Sequence, residues 1–105
     1  MRRGIVGVLE VKPGEGIPFS HSWAPNLAAG TAVSSVTPTG QDLETLADVT
    51  GTLVTNVSTA LGITTFEVHG LTDGKDYALS LAMTRNDGGG PYKDVYLVRC
   101  RKVLL

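Results

Sequence analysis

Large and small residues alternate through Tyr77, Leu79, Leu81, Met83 and Arg85, with Ala78, Ser80, Ala82 and Thr84 between them. Successive side chains of a strand point to opposite faces, so this stretch predicts a long strand with one buried face and one thin or exposed face. The same period continues on both sides. Ile63 to Val68 predicts a strand with Phe66 and Val68 inward. Tyr92 to Lys102 predicts a last strand with Tyr96, Val98 and Cys100 on one face and Arg99 and Arg101 on the other. Asn86-Asp87-Gly88-Gly89-Gly90-Pro91 reads as the hairpin loop between the last two, because these residues accept the φ values that tight β-connections need.

Upstream, residues 4–11 predict a first strand, and Lys12 to Gly16 a turn. Phe19, His21 and Trp23 share one face of the next segment, the expected core face. Pro25 stops it, since proline cannot donate to a ladder. Thr31 to Thr37 predicts a third strand, bounded by Gly30 and by Pro38 with Gly40. Residues 41–48 are the one candidate helix, but Leu43, Leu46 and Ala47 give a single apolar turn, so a turn or irregular strand fits equally. Thr50 to Val57 is β-branched and predicts a strand broken near Gly51, or a hairpin. Strands at this spacing, with no long helix, predict an all-β sandwich.

Length and composition narrow the picture. The 105 residues suit one domain, 1–105, with residues 1–16 as an N-terminal strand or arm. Charged residues are 18%, below the usual share of about a quarter. A net charge of −1 gives no reason to expect nucleic acid as a partner. No apolar run approaches the roughly 18 residues of a membrane span, so no membrane partner is expected. Arg2 and Arg3 precede a short apolar run closed by Glu10 and Lys12. That run is too short for a signal peptide, and a protein made in a cytoplasm is expected. Cys100 is the only cysteine, so no internal disulfide can form, and a buried small hydrophobe is expected there.

Reactive chemistry is not legible. His21, His69 and Cys100 do not sit at metal-ligand spacing. Asp73, Asp76 and Asp87 fall in turn segments, where aspartate is favoured for its own backbone bonds. Gly88-Gly89-Gly90 lacks the lysine and hydroxyl residue of a phosphate loop. Ser34 and Ser35 lack a nucleophile-elbow signature. No catalytic residue, cofactor or metal site is expected, and the protein is read as a non-enzyme. The termini are more suggestive. Arg2, Arg3, Arg99 and Arg101, with the apolar end Val103, Leu104 and Leu105, are the candidate partner-binding residues. Basic residues could meet an acidic partner surface, and an apolar terminus could dock on a neighbouring subunit.

Two resemblances extend this reading. Leu71-Thr72-Asp73-Gly74-Lys75-Asp76-Tyr77 resembles the corner of fibronectin type III and other immunoglobulin-like domains, where the tyrosine hydroxyl bonds back to the backbone just upstream. Ser22-Trp23-Ala24-Pro25 resembles the tryptophan strand end of the same fold. The implied fold is an immunoglobulin-like (fibronectin III-like) antiparallel β-sandwich of about seven strands. Over residues 17–101, the order of Trp23, Leu27, Gly30-Thr31-Ala32-Val33-Ser34-Ser35, Phe66-x-Val68, Tyr77, the Gly-rich hairpin and Arg99-Cys100-Arg101 is similar to small immunoglobulin-like virion proteins of tailed bacteriophages. The helix-like 41–48 and the turn residues Leu71 and Asp73 depart from that pattern. The resemblance implies a virion structural protein, bound in many copies to capsid, neck or tail subunits, as a head decoration or a neck or tail component. It also implies a homo-oligomer within the assembly. The alternative is a carbohydrate- or receptor-binding recognition module, which would want an aromatic platform.

Overall fold

A computed structural model describes residues 5–102. They form seven strands: β1 (Ile5–Val11), β2 (Gly16–Ser22), β3 (Val33–Asp42), β4 (Val54–Ala60), β5 (Ile63–His69), β6 (Asp76–Arg85) and β7 (Tyr92–Cys100). One short helix, α1 (Thr50–Leu53), and a 3-10 turn at Ala24–Asn26 complete the described elements. The strands make two sheets, ordered β1-β7-β6-β3 and β2-β5-β4, so the chain is a two-layer β-sandwich. Every described strand–strand pairing is antiparallel except β1 with β7.

The alternation read from the sequence sets the core. Tyr77, Leu79, Leu81 and Met83 of β6 are buried, as are Val98 and Cys100 of β7. Phe66 and Val68 of β5 and the indole of Trp23 close over them from the second sheet. Ala78, Ser80 and Ala82 point the other way and pave the outer face of the four-stranded sheet. The small face is therefore a sheet surface that stays open, and the large face is what holds the layers together.

Several boundaries differ from the sequence reading. The strand expected to end at Thr37 runs on to Asp42, through Pro38 and Gly40, and so equals β6 in length at 10 residues. An edge strand tolerates proline, and β3 is an edge. Gly40 is where α1 lies on that edge. A methyl group there would come 2.9 Å from Leu53 Cδ2 and 3.3 Å from Thr50 Cα. Second, Thr50–Leu53 is helical, not strand, and the strand begins at Val54. Asp48 turns the chain into that helix by accepting from the Thr50 N–H at 2.9 Å and the Thr50 hydroxyl at 2.6 Å. Of the readings left open for residues 41–48, the turn is the one found. Asp42 Oδ1 accepts from the Glu44 and Thr45 N–H groups at 2.8 and 3.2 Å, making a turn that leaves Leu43 and Leu46 exposed.

Between the sheets, β1 hands over to β2 at a tight crossing. Pro13 bridges Gly70, and the Gly14 N–H donates to Gly70 O at 2.9 Å. A Cβ on Gly70 would sit 1.9 Å from Lys12 O, so only glycine fits there. The corner at the start of β6 is pinned by Tyr77, whose hydroxyl accepts from the Thr72 N–H at 3.1 Å. The ring itself is buried.

Candidate assembly surfaces and the inter-sheet clamp

His21 is a polar side chain set between the two sheets. It leaves β2, crosses the gap between the sheets and meets two residues of β7. Nε2 lies 2.8 Å from Asp94 Oδ2, and Nδ1 lies 2.5 Å from Tyr96 Oη. The imidazole packs edge-on against Trp23 and Tyr96, with centroids 4.5 and 5.5 Å apart. Asp94 is buried, and the His21 side chain is 11% exposed. Burial, and next the Asp94 carboxylate, push the Tyr96 phenol above its ordinary pKa. A carboxylate, an imidazole and a hydroxyl thus stand in line. Proton transfer along such a chain is chemically feasible. The hydroxyl here is a tyrosine packed between the layers, and the concavities beside Ala78 and beside Leu27 lie elsewhere. The arrangement works as a polar brace between sheets. Alternation put His21 on the core face, but nothing local in the sequence tied it to Asp94, which is 73 residues away.

A second buried polar pair sits beside it. The Trp23 indole N–H donates to Thr64 Oγ1 at 2.9 Å, and Thr64 also bonds Thr59 Oγ1 at 2.7 Å. Among the described residues no group of three His, Cys, Asp or Glu side chains could hold a metal ion. No described helix is long and apolar enough to cross a membrane. Cys100 is buried, and burial raises its thiol pKa.

The candidate partner-binding residues separate into two groups. Arg2, Arg3, Val103, Leu104 and Leu105 lie outside the described residues. Arg99 and Arg101 stand at one end of the outer face of the four-stranded sheet, and both have partners within the chain. Arg99 lies 3.8 Å from Glu10, and Arg101 lies 2.9 Å from Asp76 while donating to the carbonyls of Lys75 and Cys100. Arg101 closes the corner, since Cys100 and Lys75 are joined there by a backbone bond as well.

Exposed apolar residues mark surfaces the sequence did not single out. Ile5, Val6 and Val8 of β1 are 57, 44 and 54% exposed. Among the described strands β1 has a neighbour on one side only. The other edges are blunted. Along β3 the loop before α1 is laid on, with the Val49 N–H donating to Gly40 O and Gly40 N–H to Thr50 Oγ1. A proline sits within β2, and β4 is interrupted between Thr55 and Ser58 with Asn56 at φ 54°. β1 too carries a register shift, between Ile5 and Gly7, and one acid, Glu10, but it has no proline and leaves three branched apolar side chains exposed.

On the outer face of the same sheet the registers place Val8 beside Leu97, Leu97 beside Ala78, and Ala78 beside Gln41. The next row sets Val95 beside Ser80 and Ser80 beside Thr39. The face is thus a ridge of branched residues on β1 and β7, then a trough floored by Ala78 and Ser80. A shallow concavity of about 310 Å³ occupies that trough, walled by Leu46, Asp48 and Lys93. Leu46 is 66% exposed and holds φ at 64°, a conformation L-residues with bulky side chains rarely adopt. No family model, curated protein or solved structure matches the chain.

Proposed function

We propose that the chain is an immunoglobulin-like (fibronectin III-like) structural module that works by non-covalent binding to neighbouring subunits, without chemistry of its own. The setting we propose is the particle of a tailed bacteriophage, with the protein made in the host cytoplasm and bound in many copies on the capsid, neck or tail. The tyrosine corner at Tyr77, the buried Trp23 and the pairing of β1 alongside β7 support the immunoglobulin-like assignment. The observation that carries the assembly reading is the open β1 edge. Among the described residues no strand pairs with its outer side, and Ile5, Val6 and Val8 are exposed beside it, while the other sheet edges carry a proline, an interruption or an overlying loop. Such an edge invites addition of a strand or terminal arm from a neighbour. The alternative, recognition of a carbohydrate or receptor, has less support. Trp23 and Tyr77 are buried, and the Arg85 guanidinium covers the Tyr92 ring at 5.3 Å.

The test is quantitative mass spectrometry of purified particles from the source host. Hundreds of copies per particle would fit a head-decoration or tail-lattice role. About a dozen would fit a neck or tip component. Complete absence would reject the virion reading and leave a free recognition module.

A further inference from the structure

We propose that the outer face of the four-stranded sheet is a two-fold contact with a second copy of this chain. The inference deepens the assembly reading and rests on it for a purpose, but its test needs no particle. Three observations point to a copy of the same surface as the occupant. First, the side-chain sizes on this face would let it complement itself. The Val8–Leu97 ridge stands next to a trough whose floor is Ala78 and Ser80, so a two-fold mate can lay its ridge in this trough while receiving the reverse contact. Second, the charge content suits a copy of itself. The end row is neutralised internally by the Arg99–Glu10 and Arg101–Asp76 pairs. Around the trough stand one cation, Lys93, and one anion, Asp48. An isologous contact doubles both signs and leaves no net repulsion, whereas a surface of one sign would call for a different partner. Third, Leu46 is held out on the trough wall at positive φ, an exposed apolar side chain on a strained backbone.

Area sets the strength. Four strands spaced about 4.8 Å apart, over about seven residues of length, give a footprint of roughly 400 Å² per copy. That is about half of the roughly 800 Å² per partner of a standard stable interface. The dimer is therefore weak alone, with dissociation expected between about 10 µM and 1 mM, and gains occupancy where copies are held close together.

Sedimentation equilibrium on the purified chain, from about 5 µM to 1 mM, should show a monomer–dimer equilibrium. Val8→Lys and Ser80→Arg should each weaken it by about tenfold or more, with thermal melting confirming that both variants fold. Leu61→Lys, which changes a fully exposed leucine in the turn between β4 and β5, should leave it unchanged. Wild-type protein diluted over the same range should show NMR shifts centred on Val8, Ala78, Ser80 and Leu97, a readout that needs no variant. A chain that stays monomeric at about 1 mM, or a dimer insensitive to Val8→Lys and Ser80→Arg, would overturn the proposal. A monomer that is nevertheless abundant in particles would reject this contact and leave the virion reading standing.

Discussion

At the scale of single residues, the polar groups inside the sandwich carry as much specificity as the apolar ones. His21 bridges Asp94 and Tyr96 across the gap, and a buried carboxylate that loses a partner keeps its desolvation cost. His21→Phe should therefore destabilise the fold by about 2–4 kcal/mol in urea titration. Replacing both partners, His21→Phe with Asp94→Val, should recover much of that loss, because an apolar pair needs no bond. If the double variant is as unstable as the sum of the singles, the clamp is not a coupled unit. Tyr77→Phe isolates a smaller interaction. It removes only the acceptor for the Thr72 N–H and should cost about 1–2 kcal/mol. Cys100 gives a chemical check. Burial raises its pKa and blocks access, so a thiol reagent at neutral pH should label it only after denaturant is added. Rapid labelling of the native chain would contradict the packing of β7.

Elements show where the sequence was readable. Each strand with strict alternation was found on the expected face, because burial of one face fixes both register and orientation. β6 and β7 are the clearest cases, and Phe66 with Val68 in β5 follow the same rule. The end of β3 at 38–42 and the helical turn at 50–53 were not readable, since their conformation depends on contacts between elements. Gly40 ends no strand. It lets Leu53 approach β3 closely, and that approach is visible only once both elements are in place. The β-branched Thr50 and Thr52 argue for strand, yet Asp48 and the β3 edge hold them in a helical turn. The clamp and the outer trough escaped for the same reason, as they join β2 to β7 and β3 to β7. One turn offers a test at this scale. Ala60 pairs with Ile63, leaving Leu61 and Gly62 as a two-residue loop with φ of 52° and 77°. A turn of that type prefers Asn-Gly, and leucine at positive φ is strained. Leu61→Asn should raise stability by about 0.5–1 kcal/mol without altering the fold. A destabilised Leu61→Asn variant would mean that the leucine makes contacts which outweigh the strain.

For the whole molecule, the ionisable groups define a window of pH in which the sandwich is most stable. Asp42 is held below the ordinary carboxylate range, first by its hydrogen bond from Lys75 Nζ at 2.8 Å and then by the Glu44 N–H. Asp48 is lowered by the Thr50 hydroxyl and N–H, and Asp87 by the Gly89 N–H. A carboxylate whose folded pKa lies below its unfolded one adds stability above the unfolded value. That stability is lost as pH falls through the folded value, so the acid limb begins near about pH 4. On the other side, Cys100 and Tyr96 are raised by burial, and Lys75 by the hydrogen bond to Asp42. For each of these the folded state holds its proton more tightly. Their contributions are complete below the unfolded pKa and decline as pH rises through the folded value, from about pH 9 upward. Melting temperature should thus form a plateau between these limits. Asp42→Asn should lower the plateau and make the acid limb shallower, because the variant has one fewer carboxylate to protonate. Cys100→Ala should flatten the start of the alkaline limb, at the expense of a small cavity beside Val98. The measurement is a series of thermal melts from pH 2.5 to 11 on the wild type and both variants. If Asp42→Asn leaves the acid limb as steep as before, the link from β3 to the corner at Lys75 contributes nothing to acid stability, and the limb belongs to other carboxylates.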